Sequence, residues 1–126
     1  MKFARRDNTR YGKRHVPGVM NATETAYADL LEARKLAGEV IAWGFERVTL
    51  KLAAGCRYTP DFDVWLADGG MEFIDAKGGG PMNETSRVKI KVAAEMFPQF
   101  TFTIAKRQAK KDGGGWTREV FGGDAT

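Results

Sequence analysis

Met71-Glu72-Phe73-Ile74-Asp75-Ala76-Lys77-Gly78-Gly79-Gly80-Pro81 is the stretch on which the fold turns. Residues 71–77 read as a strand, and the glycine-proline run behind them breaks the sheet. A helix is expected from about Glu84 to Phe97, closed by Pro98, because the residue before a proline leaves the helical region. Phe100 to Ala105 then reads as a strand with Phe100, Phe102 and Ile104 on one face. Strand, helix, strand in that order implies a crossover connection and a parallel pair.

Working upstream, Tyr58 to Leu66 reads as a strand joined to 71–77 by a hairpin around Ala67-Asp68-Gly69-Gly70. Before it, Val48, Leu50 and Leu52 alternate with Arg47, Thr49 and Lys51, the pattern of a half-buried strand, and Ala53-Ala54-Gly55-Cys56 is a turn. A first helix is expected from about Ala22 to Ala37, with Asn21 or Thr23 as N-cap and Gly38 as its stop. Tyr27, Leu30 and Leu31 form its apolar stripe. Glu24 either points along that stripe, where a buried carboxylate needs a partner, or is a solvated first-turn acid that complements the helix dipole. Gly113-Gly114-Gly115 reads as a flexible spacer before a short last strand from Trp116 to Phe121. The expectation is one α/β domain over residues 1–126: a mixed sheet of four to five strands flanked by two helices, a basic arm (about 1–20) and a glycine-rich tail (about 107–126).

Composition removes whole classes of chemistry. One histidine (His15) and one serine (Ser86) cannot supply a Ser-His-Asp triad without suitable neighbours, and they exclude a multi-histidine metal site. A single cysteine, Cys56, rules out an internal disulfide and a multi-cysteine zinc site and fits a reducing compartment. The basic N-terminus has no apolar stretch behind it, and no run approaches the roughly 20 apolar residues of a membrane span. The expected location is the cytoplasm, with no membrane partner. Any catalysis must then rest on carboxylates and lysine.

Charge is unevenly spread although the net value is only +4. Arg5, Arg6, Arg10, Lys13 and Arg14 crowd the start, Arg87, Lys89 and Lys91 recur within five residues, and Lys106, Arg107, Lys110 and Lys111 form a third cluster. Basic flanks around an acidic centre suit a phosphate backbone held over a metal site; they are equally what three solvated patches would look like.

The acidic centre is Asp61 with Asp75. Asp75 and Lys77 lie two residues apart on a strand and project from the same face. The hairpin brings Asp61 opposite this segment. Two converging carboxylates repel unless a cation lies between them, and an oxygen-only donor set favours a hard ion such as Mg²⁺. A nearby lysine would orient or help deprotonate the attacking water and steady the charge that develops. There is a register condition: a hairpin loop of two or four residues turns Asp61 away from Asp75 and Lys77. A three- or five-residue loop, or a bulge at Pro60, which cannot donate to the ladder, restores a common face, and one of these irregularities is expected.

Tyr58-Thr59-Pro60-Asp61-Phe62 followed by Ile74-Asp75-Ala76-Lys77-Gly78, after an acid-bearing helix and before a basic one, resembles the PD-(D/E)xK nuclease superfamily with its restriction-endonuclease-like fold. With Lys13-Arg14 and Met96-Phe97-Pro98 the likeness extends over residues 11–105 to a small phage and prophage family of endonucleases related to Holliday-junction resolvases. It implies Asp61, Asp75 and the Ala76 backbone carbonyl as metal ligands, Lys77 as the catalytic lysine and Glu24 as the helix-borne acid that completes the site. It implies Mg²⁺ or Mn²⁺ as cofactor, branched or duplex DNA as partner, a homodimer, 5′-phosphate products and a bacterial host cytoplasm. The family's Ser-Lys-x-Glu run is Asn21-Ala22-Thr23-Glu24 here, Asp75 stands where Glu is more frequent, and the Gly78-Gly79-Gly80 run is longer than usual.

Within this frame Arg87 and Lys91 share one face of the second helix and are candidate phosphate contacts, together with Lys89, Lys13 and Arg14. Val88, Val92, Met96 and Ala93 are expected to pack on the sheet. The function expected is hydrolysis of DNA phosphodiesters by metal-activated water. The alternatives are a non-catalytic nucleic-acid-binding module that keeps the fold, or a less specific duplex nuclease.

Overall fold

A computed structural model describes residues 16–122. Helix α1 (Ala22–Leu36) is followed by strands β1 (Val40–Phe45), β2 (Leu50–Ala53), β3 (Cys56–Tyr58), β4 (Phe62–Leu66) and β5 (Met71–Lys77). Helix α2 (Glu84–Met96), β6 (Thr101–Arg107) and β7 (Trp116–Gly122) complete the chain. Five strands form one mixed sheet in the order β1-β4-β5-β6-β7, and β2 and β3 form a separate two-stranded ribbon. Among the described residues the parallel pair of the larger sheet is β5 with β6, from Glu72↔Thr101 to Lys77↔Lys106, joined by α2 as the strand-helix-strand pattern requires.

Alternation along the central strands sorts side chains into two cores. Phe62, Val64, Ile74 and Ala76 face α1, which contributes Tyr27, Ala28 and Leu31. Phe73, Phe102 and Ile104 face the other way, onto Ile90 and Ala93 of α2 and onto Leu50, Leu52 and Tyr58 of the ribbon. Helix α1 starts in a capping box: the Asn21 side chain accepts from the Glu24 N–H (2.8 Å), and Glu24 Oε1 accepts from the Asn21 N–H (2.9 Å). It ends in a Schellman arrangement, with Gly38 at φ +86°, its N–H on Lys35 and the Glu39 N–H on Arg34.

The strand expected over 58–66 is two strands in two sheets. Pro60 has no N–H and pushes Thr59 towards extended backbone, so the ladder stops there and the chain passes from the ribbon into the main sheet. The strand expected from Arg47 begins only at Leu50, because Arg47 turns back to bind Asp63. Strand β1 was not anticipated; a short apolar run interrupted by Gly44 has no clear period.

The inward face of α2 also differs from expectation. Ile90 and Ala93 are its buried residues, whereas Val88 (48 %), Val92 (39 %) and Met96 (46 %) stay exposed. Ile90 fills the space over Phe73 and Phe102, and the small Ala93 and Ala94 let the helix approach closely; a Cβ on Gly122 would lie 3.1 Å from that of Ala94. With the helix in this rotation Arg87 bonds Glu119 on β7, and the valine-methionine stripe stays outside.

The glycines at 113–115 are not a loose spacer. All three hold positive φ (101°, 67° and 72°) and reverse the chain so that β7 pairs with the whole length of β6. No helix among the described residues is long and apolar enough to cross a membrane.

Candidate metal centre

The β4–β5 hairpin settles the register condition. Leu66 and Gly70 close a three-residue loop through the Leu66 N–H and Gly70 carbonyl (2.9 Å), with Gly69 at φ +95°. Paired residues therefore run Phe62↔Ile74 and Asp63↔Phe73, and one further step sets Asp61 opposite Asp75. The odd-length loop sets this register with no bulge between β4 and β5, and β4 begins only after Pro60. Asp75 and Lys77, in step with Phe73 along β5, lie on the face turned towards the ribbon and α2, and Asp61 stands at the end of β4 beside them.

The two acids are tied through the main chain. The Asp61 N–H donates to Asp75 Oδ1 (3.0 Å), and the Ala76 N–H donates to Asp61 Oδ2 (2.9 Å). Ala76, expected to act through its carbonyl, thus also meets Asp61 through its amide. Burial first, then the Asp75 charge, pushes the Asp61 carboxyl up to about 7, against the opposing pull of the Ala76 N–H and Lys77. Asp75 is 4 % exposed, and burial raises its pKa although Lys77, the Asp61 N–H and the Tyr58 hydroxyl all favour its charged form. Burial and the neighbouring Asp75 charge raise the Tyr58 hydroxyl in turn.

Three carboxylates from three different elements converge beside this pair. Glu24 from the first turn of α1, Glu46 from the loop after β1 and Asp61 each offer an oxygen, and these oxygens lie within 4.8 Å of one another. Asp75 is not in this group; it lies deeper, engaged by Tyr58 and by the Asp61 amide. Glu46 belongs to no sequence motif and was missed. Its position depends on a backbone reversal: it has φ +50°, a left-handed conformation unusual for a residue with a side chain, and its N–H donates to the Asp61 carbonyl (2.8 Å). Glu46 Oε1 also accepts from the Gly18 N–H (2.8 Å).

The three acids, with Thr49, Thr59 and Lys77, line an open cleft of about 600 Å³. Every candidate ligand atom in it is an oxygen, and the charges held together there are negative. Such a cluster could hold a metal ion.

The predicted DNA contacts fare unevenly. Both Arg87 terminal nitrogens bond Glu119, and the guanidinium lies 5.6 Å from the Phe121 ring centroid, so this side chain is already engaged. Lys89 is half-buried and Lys91 exposed on α2, and neither lines the acidic cleft. Lys13 and Arg14, like His15, lie outside the described residues. Among the tryptophans, Trp43 and Trp116 pack on Phe62 and Tyr27, whereas Trp65 is half-exposed with its indole N–H on Asp63 Oδ2 (2.9 Å).

No protein-family model, curated protein or solved structure matches this chain.

Proposed function

We propose that the chain is a divalent-metal-dependent DNA endonuclease of the PD-(D/E)xK type with a restriction-endonuclease-like fold. The single observation that carries this reading is the meeting of Glu24, Glu46 and Asp61 within 4.8 Å, beside Asp75 and in a cleft walled by Lys77. Two of the three were expected from sequence as parts of one site. The mixed sheet with a parallel β5–β6 pair and two flanking helices is compatible with that fold.

In this reading Glu24, Glu46 and Asp61 hold the ion, Mg²⁺ or Mn²⁺. When bound, the ion supplies Lewis-acid stabilisation of phosphoryl oxygens and lowers the pKa of water. Asp75 fixes the Asp61 main chain and adds negative charge behind the site, and the Ala76 amide orients the Asp61 carboxylate. Lys77 places its ammonium where negative charge grows on the nonbridging oxygens. The water oxygen forms the new P–O bond, the P–O3′ bond breaks, and the proton lost by water is matched by the one taken up at the leaving 3′ oxygen. The products are a 5′-phosphate and a 3′-hydroxyl. The preference for branched DNA and the homodimer, which would supply a second active site at a four-way junction, rest on the sequence resemblance.

The test is a supercoiled plasmid and a synthetic four-way junction incubated with Mg²⁺, Mn²⁺ or EDTA. Metal-dependent products that disappear in Asp61→Asn and Lys77→Ala, with both variants folded, are expected. Gel shifts without products under every condition would instead favour the non-catalytic binding module.

A further inference from the structure

Lys77 is a wall of two cavities. On one side it closes the acidic cleft; on the other it borders a pocket of about 250 Å³, shared with Lys106 of β6, Thr117 and Glu119 of β7, and Arg87 of α2. The parallel register sets Lys77 directly beside Lys106. Like charges on neighbouring strand positions repel, and the pocket's one carboxylate, Glu119, is already bonded by Arg87. Arg118 also borders the pocket, but buried Glu72 holds its guanidinium. No hydrogen bond or ion pair to the Lys106 side chain occurs among the described residues. The pocket therefore brings lysines from neighbouring strand positions to one wall beside the metal centre, and Glu119, the carboxylate among its described lining residues, is bonded by Arg87.

We infer that this pocket binds a phosphate of the polynucleotide backbone, next along the strand from the phosphate at the metal centre. Lys106 is its principal contact, and Lys77 is the boundary between the two. The volume fits one phosphate with a few waters, each of which fills roughly 30 Å³. Sheet geometry places the two lysine backbones about 4.8 Å apart, so their long side chains reach neighbouring phosphates of one strand. Glu119 opposes this by holding Arg87 away from the strand. The inference rests on the reading that the chain acts on nucleic acid and adds where the strand runs.

The experiment measures fluorescence anisotropy of a labelled duplex against the full chain, with Ca²⁺ in place of Mg²⁺, over a range of salt. Losing one phosphate contact should lower the slope of log K against log salt by about 0.9, which is about an eightfold loss at roughly 0.1 M salt. Lys106→Gln should show this loss with unchanged melting temperature and unchanged Mn²⁺ affinity. Glu119→Gln should shift binding in the opposite direction, tightening it about threefold as Arg87 is released. A parent that binds while Lys106→Gln keeps the same affinity and salt slope overturns the pocket alone. Weaker binding by Glu119→Gln overturns it as well. Failure of the parent to bind any DNA overturns the nuclease reading together with the pocket.

Discussion

Replacing Asp61 by Asn should make the metal-free chain more stable at pH 8 while abolishing its response to Mg²⁺. The Asp61 carboxyl is pushed from an ordinary 3.8 to about 7, first by burial and then by the Asp75 charge. A carboxyl whose folded pKa is raised binds its proton more tightly when folded. Its ionisation therefore costs stability, a cost that grows as pH rises from about 4 to about 7 and is complete above that. Three pH units correspond to a ceiling of roughly 4 kcal/mol; the cleft leaves Asp61 partly in contact with water, so about 2 kcal/mol is expected. For a chain of this size that is a rise of about 6 °C in melting temperature. Asn keeps the volume and an oxygen for the Ala76 N–H, so the main effect is removal of the charge. The assay is thermal melting from pH 4 to 9 in EDTA and again in excess Mg²⁺. In EDTA the variant should exceed the parent at pH 8, and the gap should close towards pH 4. Excess Mg²⁺ should raise the parent and leave the variant unmoved. A variant no more stable than the parent at pH 8 in EDTA, or a gap that does not close in acid, would refute the claim that converging charge destabilises this site.

Further outcomes follow from the same geometry. Glu46→Gly should relieve about 1 kcal/mol of backbone strain at φ +50° yet weaken Mn²⁺ binding about tenfold, read by calorimetric titration. Gly44→Ala would place a Cβ 1.7 Å from Arg47 Nε and drive the guanidinium off buried Asp63, costing about 1–3 kcal/mol by denaturant unfolding. Burial would raise the Asp63 carboxyl, but Arg47 and the Trp65 N–H hold it below its ordinary value; this stabilisation is lost as pH falls through that depressed pKa, so the Gly44→Ala deficit should shrink in strong acid. Ile90→Ala should cost about 3 kcal/mol whereas Val88→Ala should cost under about 0.5 kcal/mol; the reverse order would mean that α2 faces the sheet with its other side.

The parts of this fold legible in sequence were those with local causes. The helix over Tyr27 and Leu31, the β5-α2-β6 crossover and the hairpin at Gly69 each announce themselves through period, caps or turn residues. The parity argument at Asp61 was legible too, because strand pairing is arithmetic once the loop length is odd. What was not legible depended on distant partners. The apolar stripe of α2 at Val88, Val92 and Met96 is as hydrophobic in sequence as the buried pair Ile90 and Ala93, and the choice between them rests on packing against Phe73 and Phe102, which are distant in sequence. Glu46 reaches the site through a left-handed turn that no residue type around it signals. Strand β1 is an edge whose identity comes from pairing with β4 and not from its own alternation.

Glu24 has two duties at once. Its Oε1 accepts from the Asn21 amide at the start of α1, so one lone pair of that oxygen serves the helix cap, and the other oxygen is free of that bond. An ion drawing charge from Oε1 would compete with the cap. Occupancy of the site is therefore coupled to fraying of the first helical turn, and the energy of a well-formed N-terminus, about 1 kcal/mol, becomes a bias towards coordination through the second oxygen.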